Sequence, residues 1–183
     1  MRTTACTTTL HRFLRVAGLA AFVFTAFSAH AGIRSERLLA AIIKQTPAST
    51  IVSRGEQIQA AERAARNIPG AEAMWGVGAS MEPLYSSGTA IVVAPVSFKE
   101  LKKGMTVVYY NRDGEMVAHA LTGDLPKGWI AQGVGNDHED DDLVTANNLV
   151  GVIVHAFSES HSEYRTAIAK QLIAKGRLSA GQS

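Results

Sequence analysis

Apolar positions along the chain change period near residue 70. Over residues 33–67, Leu38, Leu39, Ile42 and Ile43 recur on one face at helical spacing, and Pro47 closes this first run. Ser53-Arg54-Gly55-Glu56 then has the Ser-x-x-Glu spacing in which each side chain satisfies a free backbone amide at a helix amino end. The helix it opens is expected to run through the Ala-rich stretch to about Asn67, where Pro69 and Gly70 break the chain. From Trp75 to Phe157 the pattern becomes short β-branched runs, at 89–94, 105–110, 115–121, 128–132 and 149–157. Arg112-Asp113-Gly114 and Leu125-Pro126-Lys127-Gly128 are turn sequences between them, the first hairpin-like, so a compact all-β core is predicted. A last capped segment, Ser160-His161-Ser162-Glu163, opens a helix carrying Ile168, Leu172 and Ile173.

The amino terminus has its own pattern. Arg2, Arg12 and Arg15 come without an acidic residue, the apolar stretch 16–27 follows, and Ser28-Ala29-His30-Ala31 precedes Gly32. A charged flank, a short apolar run and a small-x-small site form a secretory signal peptide, with cleavage expected after Ala31. An uncleaved anchor is the alternative, although the run falls short of the roughly 20 residues that cross a bilayer comfortably. Either way the remainder is expected outside the cytoplasm, periplasmic or secreted. The chain thus divides into a targeting segment (1–31), a helical extension (32–70), a β-rich domain (71–158) and a carboxy-terminal helix and tail (159–183).

Composition changes this picture in two ways. With 183 residues, 46% of them apolar and 19% charged, the chain suits one folded domain with appendages. Losing Arg2, Arg12 and Arg15 takes the Lys plus Arg total from 18 to 15, against 16 Asp plus Glu, so the exported part is near neutral. Its charge gives no case for nucleic acid. The single cysteine, Cys6, lies in the targeting segment, which removes disulfides and thiol chemistry from the exported part.

The candidate chemistry is a serine at a Gly-rich bend, Gly78-Ala79-Ser80-Met81-Glu82-Pro83, and His119 within the strand-like EMVAHAL. A serine hydroxyl is a poor nucleophile unless a base accepts its proton, and histidine, with an unperturbed pKa of about 6.5, suits that task. The plain alternatives are a turn serine and a satisfied strand histidine. His155, in VIVHAF, has a similar strand setting and is read as structural. The acidic run Asp137-His138-Glu139-Asp140-Asp141-Asp142 offers oxygen and imidazole ligands, but lacks the glycine-punctuated spacing of a calcium loop or a paired-His zinc spacing. It is read as a solvated loop. The amphipathic stretch 38–43 is expected to pack on the core, with peripheral membrane contact as the alternative.

Residues 75–157 resemble the serine peptidases of the signal peptidase and LexA-type superfamily. GASMEP is similar to the family's Gly-x-Ser-Met-x-Pro nucleophile motif, and SFKELKKGMTVVYY to the strand entered through Leu-x-x-Gly-Asp. EMVAHAL resembles the strand carrying the general base, and GNDHEDDDLVTANNLVGVI the Asp-containing loop before the last strand. The resemblance implies a mainly β fold, a coiled-sheet peptidase core flanked by amino- and carboxy-terminal helices. It implies Ser80 as nucleophile, within a motif completed by Gly78, Met81 and Pro83, and His119 as base, as in the branch that uses histidine instead of lysine. Asp140, by its offset from Asn136, is the first choice to support His119, with Asp141 and Asp142 open.

The same resemblance implies the Ser80 amide as an oxyanion donor, although Gly78 stands where some relatives place a helping serine. Hydrolysis would need no metal or cofactor, and the substrate would be an extended peptide with small side chains near the scissile bond. The chain departs from the pattern at Gly88-Thr89, Gly104-Met105 and Gly133-Val134, where Gly-Asp is usual, and at Ala120, where an Arg often follows the base. These departures motivate a second expectation, a non-catalytic module that grips a peptide along a sheet edge. Self-cleavage at Ala31-Gly32 is a third, less favoured because export accounts for the same bond and no DNA-binding helix pair precedes it.

Overall fold

The computed structural model describes residues 32, 33 and 35–182. Residues 1–31, and with them the expected signal peptide, lie outside the described residues. The elements in chain order are α1 (Glu36–Gln45), β1 (Ser49–Ile51), α2 (Gln57–Ala65), β2 (Glu72–Gly76), β3 (Thr89–Ala94), β4 (Thr106–Tyr110), β5 (Met116–Leu125), β6 (Gly128–Gln132), β7 (Leu149–Ser158) and α3 (Glu163–Ala174). Among the described residues the fold is mainly antiparallel β with three α-helices. Among the described residues no helix is long and apolar enough to cross a membrane.

All seven strands form one sheet, ordered β2-β3-β7-β4-β5-β6, with β1 added on β7. The spine is β7. Along one edge it pairs with β3; along the other it pairs first with β4 and then, from Ala156 to Ser158, in parallel with β1. Register shifts at Val92/Val93, Val108/Tyr109 and Leu121/Gly123 mark irregularities of the kind that bend strands. The sheet curls strongly: Met74 of β2 and Ala118 of β5, four pairings apart, line the same cleft.

The helices cover the sheet as their patterns require. Ser35 caps α1 by accepting from the Leu38 amide at 3.4 Å, and Leu39, Ala40, Ile42 and Ile43 are buried. They meet Ala169 and Leu172 of α3 in the largest core cluster. Arg165 of α3 donates from Nη2 to the carbonyls of Ile43 (3.1 Å) and Thr46 (2.7 Å), groups that the end of α1 leaves without helical partners. Helix α2 sets Ala61 and Ala65 against Ala90 and Val92 of β3.

Several local expectations need correction. The segment 33–67 is interrupted by β1, which has no alternating pattern of its own and is held by pairing with β7. Strand β2 begins at Glu72, three residues before the β region foreseen from Trp75, and runs into it as far as Gly76. Ser53 does not cap α2: the helix starts at Gln57, its cap position Glu56 makes no side-chain hydrogen bond, and Ser53 contributes only its carbonyl, to the Glu56 amide at 3.0 Å. In α3 the capping side chain is Ser162, not Ser160; its Oγ accepts from the Arg165 amide at 3.0 Å.

Candidate functional site

The segment carrying Ser80 leaves the free edge of β2 and closes into a turn. The Glu82 amide donates to Ala79 O at 2.9 Å, and the Leu84 and Tyr85 amides donate to Met81 O. Gly78, at φ +100°, is exposed with open space where a side chain would stand, whereas Met81, Leu84 and Tyr85 are buried and anchor the turn in the core. Behind it, Gly135 N donates to Ser80 O at 2.9 Å. A Cβ on Gly133 would lie 2.6 Å from Ser80 O, and one on Gly135 would lie 2.7 Å from Glu82 O. The Gly133-Val134-Gly135 run is therefore a bed that only glycines leave open. The Ser80 amide, the expected oxyanion donor, has no acceptor among the described residues.

His119 lies on β5 and is 5% exposed. Its Nδ1 is 2.6 Å from Asp140 Oδ2, and Tyr109 Oη donates to the same oxygen at 2.6 Å. Of the three aspartates left open by the sequence, Asp140 is the one brought to the histidine. Asp141 and Asp142 instead face Arg112, at 3.4 and 3.1 Å, so the hairpin after β4 ties down the acidic loop. The Asp140 amide also donates to Ala131 O on β6 at 2.8 Å.

Tyr109 is the residue that sequence reasoning missed. It is 1% exposed, and burial, followed by its hydrogen bond to Asp140, raises its pKa well above the usual tyrosine value, so it remains a donor. Only its place in the VVYY strand, two residues along from Val107, which pairs with His119, could have signalled it. Replacing Tyr109 by Phe leaves the carboxylate short of one partner. Urea unfolding should show a loss of about 1.5–3 kcal/mol with unchanged slope; an unchanged midpoint would mean that Asp140 is held without it.

Ser80 and His119 approach β5 from different sides. Ser80 lines an apolar cleft of about 250 Å³ floored by Met74, Ile91, Val108, Ala118 and Ile153. Alternation along β5 turns His119 away from Ala118 into a polar hollow with Tyr109 and the acidic loop. Val117 lines both spaces. His119 Nε2 is buried and has no hydrogen-bond partner, so no bond joins it to Ser80.

What the two share is an edge. β6 meets β5 only from Ala120 onward, so residues 116–119 have β4 on one side and no strand on the other. β2 ends the sheet across the cleft, with Trp75 and Val77 exposed at its rim.

Positions where the resemblance would place aspartates carry packing residues instead. Thr89 is 1% exposed, Val134 sits in the main core and Met105 packs on the second apolar cluster. A carboxylate at any of these would need a buried partner. His155 is exposed on β7, its ring 6.4 Å from that of Phe157. Among the described residues no group of three or more His, Cys, Asp or Glu side chains is arranged to hold a metal ion. The chain matches no family model and no curated protein.

Proposed function

We propose that this chain is an exported serine endopeptidase of the signal-peptidase-like type, with Ser80 as nucleophile, His119 as general base and Asp140 as its support. The observation that carries the reading is the buried His119–Asp140 pair with Nε2 unoccupied, on the strand edge bordering the Ser80 cleft. With its proton on Nδ1 and directed at Asp140, the imidazole keeps Nε2 free to accept. The reading requires the Ser80 hydroxyl to reach Nε2 round the open edge of β5, a contact that the described residues do not make. The Oγ attacks the peptide carbonyl, His119 takes the proton and returns it to the leaving amine, and the Ser80 amide donates to the oxyanion.

A substrate in extended form fits between the free edges of β2 and β5, pairing by main-chain hydrogen bonds. The small apolar cleft suits small side chains beside the scissile bond. The peptidase core and the export of the chain, to a periplasmic or secreted location, belong to the same proposal. A retained amino-terminal segment would act as an anchor.

The test is a serine-directed acylating probe on the purified protein, wild type against Ser80→Ala. Labelling is expected in the wild type and absent in the variant; equal labelling would remove Ser80 from the mechanism. A second reading, a peptide-binding module without turnover, is favoured by the missing bond to Nε2 and by the separate spaces that Ser80 and His119 line. It predicts peptide binding that survives Ser80→Ala, and no labelling of either protein.

A further inference from the structure

On the far side of the Ser80 turn lies a second pocket, of about 290 Å³, between β1 and α3. Arg165, 8% exposed, lines it. Nη2 is spent on the two α1 carbonyls, but Nε and Nη1 are buried without partners, and among the described residues no carboxylate pairs with the guanidinium. A buried cation lacking a counter-charge projects a positive potential that water does not screen. Lys170 and His161 line the same pocket, Ser49 supplies a hydroxyl, the Thr166 hydroxyl donates to Ser162 O, and no acidic side chain faces it.

A separate, narrower recess of about 100 Å³ shares Ser49, Leu84, His161 and Ser162 with it. That recess is lined by Thr89, whose Oγ1 is also buried without a partner. A buried guanidinium with two unsatisfied nitrogens beside a cavity points to a missing polar occupant. An occupant beside the guanidinium must be negative, and the Lys170 ammonium, the His161 ring and the Ser49 hydroxyl on the lining suit an oxyanion with more than two acceptor oxygens.

From this geometry we infer that the pocket between β1 and α3 binds a phosphate group, as the free ion or as a monoester. Phosphate enters beside Lys170 and His161 and supplies the counter-charge that Arg165 lacks. The β1–α3 pocket shares no lining residue with the Ser80 cleft, whereas the recess beside it shares Ser86 and Thr89, and phosphate binding is independent of whether Ser80 is a nucleophile. It touches the same turn from behind: Leu84 lines it, and Ser162 Oγ donates to Pro83 O.

The experiment is ³¹P NMR titration of inorganic phosphate with the full chain, together with thermal unfolding in phosphate against chloride at matched ionic strength. Saturable line broadening and a phosphate-specific rise in Tm of a few degrees are expected. Lys170→Ala, an exposed substitution that leaves the α1 carbonyl bonds alone, should weaken binding roughly tenfold, the scale of one charge-assisted hydrogen bond. Glycerol phosphate distinguishes the sources: equal binding identifies an esterified phosphate, and weaker binding the free ion. Acetate acting as strongly as phosphate would overturn the assignment, as would a wild type indifferent to phosphate or a Lys170→Ala variant with undiminished affinity.

Discussion

Asp140→Asn is expected to slow acylation of Ser80 roughly 10⁴-fold while leaving the protein folded, as loss of the supporting carboxylate does in Ser-His-Asp sites. Asp140 Oδ2 is the shared acceptor for His119 Nδ1 and Tyr109 Oη, both at 2.6 Å. An amide preserves the shape of the carboxylate but not its charge, so the imidazolium formed during attack loses the group that stabilises it. Buried surroundings enlarge the loss, since water reaches little of a histidine that is 5% exposed. The measurement is the second-order rate of probe labelling, with a urea unfolding curve on the same preparation to separate chemistry from stability. A rate within a few fold of wild type, in a variant that unfolds normally, would reduce the His119–Asp140 pair to a structural contact. Asp141→Asn and Asp142→Asn, whose carboxylates face Arg112, serve as controls and should leave the rate close to wild type.

The largest loss of stability is expected from Gly104→Ala, at about 3–5 kcal/mol. Two costs coincide there. Gly104 has φ +92°, a region that L side chains resist, and an added Cβ would lie 2.5 Å from the Ala41 carbonyl carbon and 2.9 Å from the Ile42 amide nitrogen. These are backbone atoms of α1, so no rotamer change relieves the contact. The helix must lift, loosening Ile42 and Ile43 from the core. Gly114, at φ +77° with nothing within 4 Å of the same position, separates the two costs. Gly114→Ala should lose only the backbone part, about 1–2 kcal/mol. Denaturant unfolding of the pair decides the matter, and equal losses would show that α1 yields freely.

Much of the sheet could be read from its side-chain chemistry. β3 and β6 begin and end where their β-branched or aromatic runs do, because strong turn signals bound them. β1 and β2 escaped because neither carries a local pattern that outweighs its neighbours: Ser49-Thr50-Ile51 follows a helix, and Glu72-Ala73-Met74 is not β-branched. Their strand form comes from edges supplied by β7 and β3, a tertiary cause that no window along the chain contains. The caps misled for a related reason. Ser53 and Ser160 each have a Glu three residues on, but spacing does not reveal where the first helical turn falls.

At the site, His119 was foreseeable from residue type and Asp140 was the first choice by its offset from Asn136, whereas what sets Asp141 and Asp142 aside is Arg112, thirty residues upstream of Asp142, drawing both outward. Nothing in the order of residues foretells that Ser80 and His119 line different spaces. That follows from which face of β5 each meets.

The parallel seam between β1 and β7 joins residues 49–51 to residues 156–158, and α1 meets α3 through Glu36 and Lys175 as well. Almost the whole described chain must therefore be available before its beginning finds its place. Such long loop closures slow folding and delay it until late in the emergence of the polypeptide. The turn bearing Ser80 is braced from the same distant part of the chain, by Ser162 at the start of α3. Contacts that span the described chain thus hold together both its first helix and the back of the Ser80 turn.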